Sequence, residues 1–143
     1  MSLIDHNDPK VARIHGLPLF RDADKKALGH LASAVDEVTI DAGHTLISQG
    51  HNHTEGFVIE QGQAEVVVDG EVVAEIPAGE MIGELGMFIR GPASATVRAK
   101  TDMTVLVLPY NRVDQILEEN PAMVLGVAKE LAGRLRAMDA KQH

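Results

Sequence analysis

The sequence predicts a mainly β fold with helices at both ends, and three observations carry this prediction. From Glu37 to Pro109 the chain consists of short β-branched runs separated by glycines, a pattern typical of a β-sandwich or a barrel-like roll. Asp69-Gly70 stands between two valine-rich runs and favours a two-residue hairpin, because a type I′ turn needs positive φ at both positions. The segments before residue 36 and from Tyr110 onward have the apolar periodicity of helices.

Two helices are predicted ahead of the strands, between about residues 9 and 35. A short helix runs from Pro9 to Ile14 and ends before Gly16 and Pro18, which interrupt helices. A second helix is predicted through about Val35, with Asp22 as its N-cap, since an aspartate can accept from the unpaired N–H groups of a first turn. One face of this helix holds Ala27, Leu28, Leu31 and Ala34.

The β region, about residues 37–109, contains six short runs in which β-branched residues recur. They are EVTI, HTLISQG, GFVIEQG, QAEVVVDGEVVAEI, SATVRA and MTVLVLP, with the Asp69-Gly70 turn inside the fourth.

The C-terminal region, about residues 110–139, is predicted to be helical, and its last helix begins at Asn120-Pro121. Its apolar residues repeat with the spacing 4, 3, 4, 3, which is typical of a heptad. Such a stripe suits three roles: packing on the β-body, a seam between two copies, or a lid over a ligand. The stripe consists of Val124, Ala128, Leu131, Leu135 and Met138.

Length and composition exclude several classes of function. The 143 residues are expected to form one domain, residues 1–143. The net charge of −8 argues against a nucleic-acid surface, and the absence of Cys excludes disulfides and thiol nucleophiles. The N-terminus lacks the apolar core of a signal peptide, and no run approaches the ~20 apolar residues of a membrane span. We expect a soluble cytoplasmic protein with no membrane partner.

The stretch from His51 to Glu55 is the main candidate for a metal site. Its two histidines, His51 and His53, would share one face of a strand, as in the metal motif of cupins, which it resembles. However, a single residue separates His53 from Glu55, where cupins leave three or four, and no second histidine motif follows. A solvated loop is the simpler interpretation, and we predict no metal site.

No catalytic residues are predicted. Ser33, Ser48 and Ser94 lack the G-x-S-x-G context of a nucleophile elbow, and after His53 the next histidine is His143. The carboxylates fall mostly in exposed positions. We therefore do not expect an enzyme.

The stretch GELGMFIRGPASATV, Gly83 to Val97, has the composition of an anion-binding loop. Glycines and very small residues let backbone N–H groups approach a ligand closely. It matches neither a P-loop nor a dinucleotide fingerprint, because no Lys-Ser/Thr pair follows the glycines and no parallel βαβ unit surrounds them.

This stretch resembles the phosphate-binding cassette of cyclic-nucleotide-binding domains, which reads approximately F-G-E-L-A-L-x-x-x-x-P-R-x-A-T-V. Further resemblances in matching order extend over about Leu17 to Met138. They are Gly16-Leu17-Pro18-Leu19-Phe20 at the helical entry, the run from Ala42 to Gly50, Phe57 to Gly62, and Pro77-Ala78-Gly79-Glu80 before the cassette. The resemblance implies an antiparallel β-roll of the double-stranded β-helix (jelly-roll) type, flanked by helices.

The resemblance also implies a ligand, cyclic AMP or cyclic GMP, and a role for each cassette residue. Backbone N–H groups around Leu85, Gly86, Ser94 and Ala95 would point at the cyclic phosphate. Glu84 would accept from the ribose 2′-hydroxyl, or else tie down its own loop. The implied ligand-binding set is Gly83, Glu84, Leu85, Gly86, Ala93, Ser94, Ala95 and Thr96.

One position departs from the family pattern. The family has an arginine directly after the cassette proline, and this chain has Ala93. Two nearby cations, Arg90 and Arg98, are the candidates to replace it. Low affinity for a cyclic nucleotide is therefore expected.

This pattern is compatible with three functions. The chain could be a sensor that binds a cyclic nucleotide weakly, a sensor of another small anion, or a module without a ligand that binds a protein partner or dimerises through the last helix. Leu131 and Leu135 are the candidate residues of that helix for a dimer seam or for a lid over a ligand. A DNA-binding regulator is disfavoured because no reading head follows in this chain, unless the sequence is a fragment.

Overall fold

The computed structural model describes residues 9–142, with side chains as far as Ala140. Residues 1–8, on which the signal-peptide expectation partly rests, and residue 143 lie outside the described residues. Contacts group the chain into two compact units. Of the described residues, 9–33 and 115–142 form a helical unit, and 34–114 form a β unit. The expectation of one domain stays a prediction.

The β unit consists of two four-stranded antiparallel sheets, with strand orders β1-β8-β3-β6 and β2-β7-β4-β5. The strands are β1 (Asp36–Ile40), β2 (Thr45–Ile47), β3 (Glu55–Gln61), β4 (Ala64–Val68), β5 (Glu71–Ile76), β6 (Met81–Ile82), β7 (Thr96–Ala99) and β8 (Met103–Pro109). The predicted antiparallel β-roll is confirmed. Sequence analysis missed β6, which has only two residues and no alternation to detect; its pairing with β3 leads the chain into Gly83.

The hairpin predicted at Asp69-Gly70 joins β4 to β5. Asp69 has φ 51° and Gly70 has φ 86°, so both residues take the positive φ that the turn requires. The Gln49 side chain also holds this turn, because it donates to the Asp69 carboxylate at 3.0 Å and accepts from the Asp69 N–H at 3.1 Å.

The core of the β unit forms from alternate residues of six strands, as expected where one face of each strand is buried. Both sheets contribute, and burial of each large aliphatic side chain stabilises the unit by about 1.5–3 kcal/mol. The cluster contains Ile47, Phe57, Ile59, Ala64, Ile82, Val97, Ala99, Met103 and Val105.

Within residues 9–142, four α-helices flank the roll in sequence. They are α1 (Pro9–His15), α2 (Lys25–Ala34), α3 (Tyr110–Glu119) and α4 (Pro121–Gln142). The 3-10 turn Pro18–Phe20 packs against α4 within the helical unit. No helix within residues 9–142 has the length and apolar character to cross a membrane.

The predicted N-cap of α2 is wrong by two residues. α2 begins at Lys25, and Asp24 caps it, with its Oδ1 accepting from the Ala27 N–H at 2.8 Å. Residues 21 and 22 form a turn after the 3-10 segment, so the helix cannot start there. Asp22 instead lies against Gly126 of α4, where a β-carbon would come within 2.9 Å of it.

The buried face of α4 is not the predicted stripe. Met123 and Val127 are buried, each one residue before a stripe position, whereas Val124, Leu135 and Met138 are 45%, 67% and 58% exposed. Ala128 is exposed and Leu131 is half-buried. One residue corresponds to about 100° around a helix, so the stripe lies beside the face that α4 buries. Packing among the described residues therefore leaves Val124, Leu135 and Met138 of this stripe exposed.

Candidate ligand-binding site

The β unit contains a cavity of about 490 Å³, a volume typical of small-molecule sites. Most of its wall comes from the loop between β6 and β7, residues 83–95, and Ile47, His53, Met81 and Val97 complete the lining. The sequence folds this way locally because Gly83 takes φ 77°, which turns the chain out of β6. A single 3-10 turn, Leu85–Met87, follows.

The cavity brings together seven of the eight residues proposed from the cassette. They are Gly83, Glu84, Leu85, Gly86, Ala93, Ser94 and Ala95. Thr96 is not part of the lining, because it lies in β7 and its Oγ1 accepts from the Gln49 N–H at 3.0 Å. The place of Thr96 in the ligand-binding set therefore stays a prediction.

The backbone N–H groups in the wall divide into two sets. The N–H of Ala93 donates to the His51 carbonyl at 2.9 Å. Within residues 9–142, the N–H groups of Leu85, Gly86, Ser94 and Ala95 donate no hydrogen bond. These four are the donors that the sequence analysis assigned to an anion, and Glu84 lies half-buried in the same wall.

Arg90 lines the cavity, but its guanidinium is engaged. Nη1 donates to the carbonyls of Gly86 at 2.7 Å and Met87 at 2.5 Å, and Nη2 pairs with the Asp114 carboxylate at 2.8 Å. The same group stacks over the ring of Tyr110, 4.6 Å from its centroid. Arg90 therefore closes the C-terminal end of the 3-10 turn and connects it to α3.

Arg98, the other candidate cation, lies outside the lining of the cavity. It sits opposite Glu65 in the register of β7 and β4, and its Nε pairs with that carboxylate at 2.6 Å. Neither arginine thus presents an unpaired charge where the family arginine would stand.

Tyr110, the first residue of α3, fixes the start of the loop. It is 1% exposed, and its hydroxyl donates to the Gly83 carbonyl. Burial raises the pKa of Tyr110 to about 12, although the positive charge of Arg90 opposes the rise. At neutral pH the hydroxyl is therefore a stable donor to the loop.

His53 belongs to the stretch interpreted from the sequence as a solvated loop, but its ring nitrogens are enclosed in the cavity wall. It lines the cavity, its ring lies 5.6 Å from that of Tyr110, and its Nε2 is 2.9 Å from the position of a β-carbon on Gly86. Both ring nitrogens are enclosed and form no hydrogen bond with any described residue. No group of three or more potential metal ligands occurs among residues 9–142.

The comparisons with known proteins identify the family of the chain, and the matched residues include this loop. Residues 37–120 match the family model described as "Cyclic nucleotide-binding domain". The chain belongs to the cyclic nucleotide-binding domain family. The family inferred from the cassette is therefore confirmed, and so is the jelly-roll fold with flanking helices that the resemblance implied.

Among curated proteins, the cAMP-activated global transcriptional regulator CRP of Salmonella typhimurium is 32% identical over 103 residues, covering 68% of this chain and 49% of that protein. An uncharacterized NTE family protein of Mycobacterium tuberculosis is 27% identical over 124 residues, covering 86% of this chain and 21% of that protein. The chain thus spans about half the length, or less, of these relatives.

Among solved structures, the N-terminal domain of a transcriptional regulator from Streptomyces coelicolor superposes with a TM-score of 0.77 at 28% identity. The match covers 93% of this chain and 94% of that one. Its coverage extends well beyond the β unit, so the flanking helices belong to the shared fold.

Proposed function

We propose that this chain is a sensor domain that binds a cyclic nucleotide weakly and has no catalytic role. One observation carries the proposal: seven cassette residues surround a single cavity whose wall holds four N–H groups without an acceptor in the described chain. Such donors suit the phosphate of cyclic AMP or cyclic GMP, and the Glu84 carboxylate suits a ribose hydroxyl. The cyclic AMP named for the Salmonella relative makes this nucleotide the first probe.

The weak affinity follows from position 93. An arginine there would form two charge-assisted hydrogen bonds with a phosphate, each contributing roughly 1.5–3 kcal/mol. Losing both weakens binding by about two to four decades, at ~1.4 kcal/mol per tenfold. Arg90 does not offset the loss, because Asp114 neutralises its charge and two carbonyls occupy its donors.

The test is calorimetric titration of the protein and of Ala93→Arg with cyclic AMP and cyclic GMP, at low and moderate salt. We expect weak or undetectable heats for the unmodified protein and at least tenfold higher affinity for Ala93→Arg. Ala93→Met is the matched control, because it adds length without charge. Adding Glu84→Ala to Ala93→Arg should remove much of the gain. If Ala93→Arg binds no better than Ala93→Met, the proposal is wrong.

A second candidate function is self-association through α4. The exposed apolar positions Val124, Leu135 and Met138 form an unpaired stripe with heptad spacing, which is the pattern of a helix that meets a second helix. Sedimentation equilibrium would then detect a dimer. Leu135→Glu with Met138→Glu should dissociate it, whereas the control Ala132→Glu with Ala137→Glu, off the stripe, should not. A monomeric unmodified protein would end this candidate.

A further inference from the structure

His53 lines the cavity, but the proposed function assigns it no role. Its ring nitrogens are enclosed without a hydrogen-bonding partner among the described residues. Buried polar groups of folded proteins are nearly always paired, and an unpaired one calls for an explanation, such as a functional role or a bound group. The neighbouring His51, in contrast, is exposed. The two histidines of the HNHTE stretch therefore differ in their surroundings, and only one of them lies in the cavity.

The position of His53 relates it to the proposed anion donors. Its Nε2 lies 2.9 Å from where a β-carbon on Gly86 would stand. Standard bond lengths then put Nε2 at most about 5.5 Å from the Gly86 nitrogen. A single oxygen that accepts from two N–H donors, at roughly 3 Å from each, spans such a separation. The lack of a side chain on Gly86 is what permits the imidazole to come this close.

We propose that His53 is a ligand-binding residue that donates from Nε2 to the anionic group held by the Gly86 N–H. This inference rests on the proposed function and deepens it. Because both ring nitrogens are enclosed, the contact requires the imidazole to turn toward the cavity, and it gives Nε2 the acceptor that it lacks among the described residues. His53 thus supplies one of the donors that a chain with Ala93 would otherwise miss.

The charged groups around the cavity are consistent with this role. Arg90 lies over the ring of Tyr110, which is also the aromatic neighbour of His53, and its charge is paired with that of Asp114. Glu84 is the carboxylate in the lining, and it suits hydroxyl groups rather than an anion. An anionic oxygen near Gly86 thus depends on backbone N–H groups and on the imidazole.

If His53 binds a ligand, replacing it should affect the stability of the protein differently than if His53 only supports the fold. A donor kept unpaired inside the unliganded protein costs stability, because its hydration is lost without replacement. Removing the nitrogens while keeping a similar volume should therefore weaken binding and leave the melting temperature equal or higher. A side chain that served only the fold would show the opposite pattern.

The experiment compares His53→Leu with His53→Gln, in the natural chain and in the Ala93→Arg background, by titration with cyclic AMP and by thermal unfolding. Gln keeps an N–H donor of similar reach, and Leu keeps only bulk. We expect His53→Leu to lose at least fivefold in affinity without a lower melting temperature, and His53→Gln to stay within about twofold. His51→Leu is the control for a nearby histidine and should change neither quantity.

Imidazole ¹⁵N spectra provide a second, independent measurement. On addition of cyclic AMP to the Ala93→Arg protein, the His53 nitrogens should shift and those of His51 should not. Unchanged affinity in His53→Leu, or binding without a His53 shift, would overturn the inference while leaving the proposed function intact. Absence of cyclic AMP binding in both backgrounds with His53 present would reject the proposed function and the inference together.

Discussion

The two segments that form most of the cavity wall are held in different ways. The first segment, Gly83–Arg90, is held by side chains: Tyr110 donates to Gly83, and Arg90 closes the 3-10 turn and pairs with Asp114. The second segment, Gly91–Ala95, is held by its backbone, with hydrogen bonds at both the N–H and the carbonyl of Ala93. Its side chains are small and make no ion pair among the described residues.

This difference explains why the cavity wall offers no unpaired positive charge to a ligand. The first segment uses its only arginine to hold its own conformation, so that cation contributes to the fold rather than to a ligand. The second segment places Ala93, a half-buried residue without charge, in the cavity lining, so position 93 is where a cation could be added to the site. We therefore expect substitutions in the first segment to change stability, and substitutions at position 93 to change binding.

The largest expected effect on stability is that of Gly83→Ala in the first segment. Gly83 has φ 77°, and its new β-carbon would stand 2.8 Å from the Tyr110 hydroxyl oxygen. The strain of positive φ and the disturbed hydrogen bond together should cost about 2–4 kcal/mol. Urea unfolding of the variant measures this cost.

Gly79→Ala is the matched control for that experiment. Gly79 has φ 93° with nothing near its absent β-carbon, so its substitution carries the backbone strain without the clash. A loss of stability equal to that of Gly83→Ala would mean that the Tyr110 contact is unimportant, and the contrast between the two segments would weaken.

Local signals made much of this architecture predictable. Asp69-Gly70 carries its turn preference in two adjacent residues, and the cassette lies within one stretch, so both could be recognised without knowledge of the fold. The residues that hold the cassette in place could not be recognised from the sequence alone. Tyr110 meets Gly83, and Thr96 meets Gln49, across 27 and 47 residues, and no sequence pattern records such contacts.

The histidines and the α4 stripe illustrate the same limit. Because His51 and His53 are two residues apart, they would share one face of a strand. They lie instead in a loop between strands, where side chains do not alternate regularly, and only His53 lines the cavity. In α4 the heptad spacing is present in the sequence, yet the helix, which packs on the Pro18–Phe20 turn, buries Met123 and Val127 beside that stripe.

The second expected effect is a loss of stability at high pH that depends on Tyr110. Its pKa is about 12 in the folded protein and ~10 in an unfolded chain. Below pH 10 both states keep the proton. Between pH 10 and 12 the unfolded state releases it and the folded state does not, so the free energy of unfolding falls, by roughly 2–3 kcal/mol in total.

The chain has one Tyr and no Trp, so absorbance of the phenolate reports on this group directly. We expect its midpoint near pH 12 in buffer and near ~10 in urea. Tyr110→Phe should show a shallower fall of stability above pH 10, with other groups titrating equally in both proteins. Equal pH dependence would show that the hydroxyl is accessible and that the first segment is less firmly held than its contacts indicate.

The smallest expected effect is that of removing the Arg90 charge with Arg90→Met. The ion pair with Asp114 is about half exposed on both sides, and such pairs contribute roughly 0–1 kcal/mol. Stacking on Tyr110 adds about 0.5–1 kcal/mol, and the bonds to the Gly86 and Met87 carbonyls are also lost, so we expect a total cost of about 1–2 kcal/mol in urea unfolding. Asp114→Asn removes only the ion pair and should cost less than ~1 kcal/mol. The cost of both variants should fall as salt rises, because both lose the screened ion pair, and Arg90→Met should keep an additional cost at high salt.

Lys26→Met, which removes an exposed cation from α2, is the control for the change in net charge and should be nearly neutral. The decisive comparison is between Arg90→Met and this control. If the two were equally stable, Arg90 would not hold the first segment, and its charge would be available to a ligand. In that case the unmodified protein should bind cyclic AMP more tightly than Ala93 implies, and Arg90→Met should abolish that binding.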